Sequence, residues 1–111
     1  MDAPQRRWKR VKVDIRVKIR RCGDPEASAT VVRTYELSEG GMSVYALESL
    51  EVGTLLAVEF SVPTSQDALH LRTVVRNRRG FRCGMEFVDI SPNASHEVMR
   101  YLAAAEGAVG V

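Results

Sequence analysis

At 111 residues, 45% hydrophobic and 27% charged, the chain has the size and balance of one globular domain, which excludes a disordered or collagen-like polymer. No apolar run approaches the ~20 residues of a membrane-crossing helix, and Met1-Asp2-Ala3-Pro4-Gln5-Arg6-Arg7 leads into no signal-peptide core, so a cytoplasmic chain is expected. The net charge of +2 hides a polarity: residues 1–22 hold nine basic and two acidic side chains, a balance of +7, and the other 89 residues carry −5. A basic leading segment points to an anionic partner near the N-terminus.

Taken in chain order, residues 11–20 give the clearest element. Val11, Val13, Ile15, Val17 and Ile19 alternate with Lys12, Asp14, Arg16, Lys18 and Arg20, the period of a strand with one buried and one wet face. Arg21-Cys22-Gly23-Asp24-Pro25 is a turn cluster. Residues 28–37 are β-prone but alternate less cleanly, and Gly40-Gly41 breaks the chain before a short strand at 42–47. A further strand over 55–62 turns Leu56, Val58, Phe60 and Val62 inward. Leu69, Leu71, Thr73 and Val75 form the inner face of the next, Asn77-Arg78-Arg79-Gly80 reads as a hairpin turn, and Phe81, Cys83, Met85 and Phe87 face inward on the return.

The period then changes. Ser91-Pro92 is an N-cap followed by proline at the first helical position, and Val98 and Leu102 mark an apolar stripe on a helix over about 92–106 that stops at Gly107. Strands at roughly ten-residue spacing followed by one helix predict an all-β chain with a C-terminal helix: a small six-stranded antiparallel β-barrel with a helical lid. Closure removes the exposed edges that an open sheet would leave.

Metal and redox chemistry are disfavoured. Cys22 and Cys83 stand 61 positions apart without a zinc spacing and read as free thiols, one of them buried; His70 and His96 are isolated. No nucleophile–base–orienter set and no phosphate-cradling glycine motif is visible, so the chain reads as a binding domain rather than an enzyme, with no cofactor and no metal.

Two segments are not needed for the barrel. Gln5-Arg6-Arg7-Trp8-Lys9-Arg10 joins arginine forks suited to phosphate or a guanine edge with Trp8, whose π face can stack on a base. Glu36-Leu37-Ser38-Glu39-Gly40-Gly41 joins a carboxylate able to accept from guanine, a hydroxyl able to donate to phosphate, and glycines free to take positive φ near a ligand. Either one alone is more often a solvated arm or an ordinary loop.

Together, in this order, they resemble the PilZ family. Arg6 and Arg10 match its RxxxR element, and Glu36-Leu37-Ser38-Glu39-Gly40-Gly41 is similar to its [D/N]xSxxG element, with Ser38 and Gly41 in place. Residues 81–92 resemble the family's last strand and helix entry, so the likeness runs from about Gln5 to Ala105. It implies a six-stranded barrel that binds cyclic di-GMP. Carried over, Arg6 and Arg10 contact phosphates and guanine edges, Ser38 helps hold a phosphate or guanine, and Gly41 keeps the turn open. Arg7, Gly40 and Trp8 join the candidate site on charge, backbone freedom and stacking. Residues 1–10 are then a flexible basic switch segment that orders over the ligand, and 11–111 the barrel and helix, with a downstream protein partner reading the changed surface.

Glu36 departs from the family's Asp or Asn. The extra methylene moves the carboxylate by roughly 1.3–1.5 Å. A lost charge-assisted hydrogen bond costs about 1.5–3 kcal/mol, which weakens binding without abolishing it. Two other readings compete: a nucleotide-independent interaction module, and a nucleic-acid-binding small barrel. The acidic remainder of the chain disfavours the second.

Overall fold

A computed structural model describes residues 10–109, with side chains through Ala105. Six strands, β1 (Val11–Arg21), β2 (Thr30–Leu37), β3 (Gly41–Tyr45), β4 (Leu55–Phe60), β5 (Leu69–Arg79) and β6 (Arg82–Asp89), precede a single helix, α1 (Pro92–Val109). All neighbours pair antiparallel in the order β1-β2-β3-β6-β5-β4, and β4 returns to β1 to close the barrel. The expected architecture is what forms.

The alternating residues are inside. Ile15, Val17 and Ile19 of β1, Leu56, Val58 and Phe60 of β4, Leu69, Leu71 and Val75 of β5, and Cys83, Met85 and Phe87 of β6 share one core. Each fully buried aliphatic or aromatic side chain contributes about 1.5–3 kcal/mol. Thr34 and Thr73 are buried with them, their hydroxyls set against the Met42 and Met85 sulfurs.

Several local expectations are corrected. β5 continues through Asn77-Arg78-Arg79, and only Gly80 and Phe81 make the connection; Arg79 pairs directly with Arg82. Gly80 at φ +57° occupies the first central position, where a two-residue hairpin needs a left-handed residue. Phe81 therefore stands at the hairpin tip, 60% exposed, instead of facing inward.

α1 begins as read: the Ser91 hydroxyl accepts the Ala94 N–H at 3.1 Å. It runs through Gly107, because glycine costs an already nucleated helix only about 1 kcal/mol. Ala94 and Val98 join the barrel core, and Tyr101 and Leu102 pack against it, as a lid requires. The Ser65 hydroxyl, between β4 and β5, and Arg100 hold the Glu97 carboxyl below its ordinary range.

Candidate functional site

The less clean alternation of β2 has a structural cause. Its register with β3 slips between Thr34 and Glu36, so Thr34 and Leu37 are both buried while Tyr35 and Glu36 between them stand on the outer face. Such a bulge places two consecutive side chains where a regular strand would place one. β5 repeats the device: its register with β6 slips between Val75 and Asn77, and Arg76 and Asn77 both stand outside.

Between the bulges lies a groove of about 300 Å³, floored by small residues of the two middle strands, Gly41 and Ser43 of β3 and Gly84 of β6. This is the lower end of the size range of small-ligand sites. Of the residues picked from sequence, Arg10, Glu36, Ser38, Gly40 and Gly41 all line it. Arg6, Arg7 and Trp8 lie outside the described residues.

Arg10, Glu36 and Ser38 each have a definite role in the groove. The Arg10 guanidinium pairs with Glu36 at 3.4 Å, across 26 positions of sequence. Both are partly exposed, so the pair contributes at most about 1 kcal/mol and can be exchanged for another anion. The Ser38 hydroxyl accepts the N–H groups of Gly40 (3.2 Å) and Gly41 (3.1 Å) and donates to the Gly41 carbonyl at 3.3 Å. It ties the turn together from within.

The glycines work differently from expectation. Neither Gly40 nor Gly41 has positive φ; Gly23, Gly53 and Gly80 do. Gly41 is needed for close approach instead. A Cβ there would lie 2.2 Å from the Met85 carbonyl oxygen of the paired strand β6. At Gly84 a Cβ would meet the Asn77 amide at 2.8 Å, so that side chain lies across the groove floor.

Tyr35, Ser43, Arg76, Asn77, Gly84 and Glu86 also line the groove and were not found from sequence. Tyr35 packs on Tyr45 with ring centroids 4.5 Å apart, and the Arg82 guanidinium lies 5.5 Å above its ring. Aromatic and cation–π contacts of this kind fix a ring at the groove edge. Opposite, the Arg76 Nε donates to Glu86 at 2.6 Å. Among the described residues no cluster of His, Cys, Asp and Glu could hold a metal ion, and no helix is long and apolar enough to cross a membrane.

Comparison with known proteins places this geometry. A family model described as PilZ domain matches residues 4–104. Among solved structures, the chain is similar to the Bacillus subtilis inhibitor of motility MotI/DgrA, at TM-score 0.76 and 19% identity over 94% of this chain and 52% of that one. It is similar to the PilZ domain of YcgR from Escherichia coli, solved with c-di-GMP, at TM-score 0.72 and 19% identity over 96% and 95% of the two chains. It is also similar to the PilZ domain of CeSA from a cellulose-synthesizing bacterium, at TM-score 0.69 and 17% identity over 88% and 98%. At such identities the likeness is one of fold. The chain spans about half the length of MotI/DgrA. No curated protein sequence matches the chain.

Proposed function

The chain belongs to the PilZ domain family, and on that premise we propose that it is a cyclic di-GMP-binding effector domain. One observation carries the reading: Arg10, Glu36, Ser38 and Gly41, the described members of both sequence elements, line a single groove. The fold likeness to a YcgR domain solved with c-di-GMP supports the same ligand. Arg10 supplies a fork for a phosphate or a guanine edge, Glu36 a carboxylate for guanine N–H groups, and the Ser38–Gly41 turn a polar floor. Residues 1–10, with Arg6 and Arg7, close over the ligand, Trp8 stacks on a base, and the barrel of 11–111 is the platform. A downstream protein reads the altered surface. The work of the groove is binding: it is lined by forks, a carboxylate and backbone groups, and the Ser38 hydroxyl is committed to its own turn.

The Arg10–Glu36 pair favours a second reading, a module that contacts its partner without nucleotide, because the two side chains already pair with each other. Titration calorimetry with cyclic di-GMP at about 100 µM and low salt separates the two. Binding by the wild-type chain, lost in Arg10→Ala and tightened in Glu36→Asp, is the expected outcome. No heat from the wild type excludes the nucleotide reading.

A further inference from the structure

The groove is built with two walls, and the two sequence elements account for only one of them. On the β2 side the bulge presents Tyr35 and Glu36, with Arg10 paired to Glu36. On the β5 side the second bulge presents Arg76 and Asn77, with Arg76 paired to Glu86 of β6. Glu36 and Glu86 are separated by β3, so the strands that carry them lie about 10 Å apart at ordinary strand spacing. A cyclic dinucleotide carries two phosphodiesters and two bases related by a two-fold axis, which calls for donors on both sides.

We propose that Arg76 is a ligand-binding arginine of the second wall, held in place by Glu86 and contacting the phosphate remote from Arg10. The inference rests on the cyclic di-GMP reading of the groove. Three features set Arg76 apart from an incidental surface charge. It lines the groove, together with Asn77 and Glu86. It is the residue left without a partner at the slip between Val75 and Asn77, an irregularity that re-aims the strand beside binding sites. Its bond to Glu86 engages Nε, so Glu86 orients the side chain while both Nη groups remain as donors for an anion.

Arg72 supplies the internal comparison. It lies on the same strand and makes the same kind of cross-strand pair, with Asp89 of β6, but it does not line the groove. General surface electrostatics would treat the two arginines alike, whereas a built contact would not.

The test is titration of cyclic di-GMP into the full chain as wild type, Arg76→Ala, Arg76→Lys and Arg72→Ala, at one fixed salt concentration. Arg76 is well exposed, and substitutions at such sites change stability little. A thermal melt of each variant checks that it folds. Arg76→Ala is expected to weaken binding about tenfold or more, the loss of one charge-assisted contact. Arg76→Lys should recover part of it, and Arg72→Ala should stay within about twofold of wild type. Tight binding by the wild type with Arg76→Ala unchanged overturns this proposal alone, as does an equal loss in Arg72→Ala. Absence of binding by the wild type overturns the ligand reading and this proposal with it.

Discussion

Gly41 and Gly84 stand across from each other's strands in the same groove, yet they answer to different constraints. The position of a Cβ on Gly41 is already taken by backbone, the Met85 carbonyl at 2.2 Å, which cannot move without breaking the β3–β6 ladder. On Gly84 it meets only the end of the Asn77 side chain, which can swing away. Gly41→Ala is therefore expected to destabilise by about 2 kcal/mol or more, lowering the thermal midpoint by roughly 10 °C. Gly84→Ala should shift it by only a few degrees; scanning calorimetry on the pair checks the contrast. The family-like pattern marks Gly41, but it is silent on why. Serine 38 is a parallel case: its place in the pattern is visible in the chain, whereas the three bonds that commit it to its own turn are visible only once Gly40 and Gly41 are folded around it.

Elements differ in how far local chemistry specifies them. β1 is a strict alternation, and its inward residues are the buried ones from Ile15 onward. The start of α1 is equally local, because Ser91 and Pro92 satisfy and omit N–H groups that no helix bonds for itself. Ser91→Ala is expected to cost about 1 kcal/mol through loss of the Ala94 contact, read as a lower denaturation midpoint at unchanged slope in urea. The bulges in β2 and β5 are not local. Nothing in Tyr35-Glu36 or Arg76-Asn77 demands an extra residue; the slip appears when both flanking strands must keep their apolar faces inside one closed barrel. The hairpin after β5 departs from its local composition for a related reason. Asn77-Arg78-Arg79-Gly80 has turn composition, but pairing with β6 keeps its first three residues in the ladder.

For the whole molecule, closure makes a continuous core with a helix packed on it, and Cys83 reports on its integrity. The thiol is fully buried, and burial pushes its pKa up, whereas Cys22 is only half buried. A raised thiol pKa means that folding disfavours the thiolate, so this contribution to stability is present at neutral pH and is lost as pH rises past the unfolded thiol's value. At pH 8 a thiol reagent should modify Cys22 in the native protein and Cys83 only at the rate of global opening; two equally fast thiols would mean a leaky barrel. By itself the sequence determined the strand and helix periods, the domain class, the helix start and one wall of the groove. These depend on residue type and short spacing, and hydrophobic alternation and capping act within a few positions. The tertiary structure decided the second wall. Arg76, Asn77, Gly84 and Glu86 meet Arg10 and Glu36 only through the β2-β3-β6-β5 strand order and the register slips at Thr34/Glu36 and Val75/Asn77. Which residues face one another across a sheet is fixed by the packing of the entire core, not by any segment of the chain.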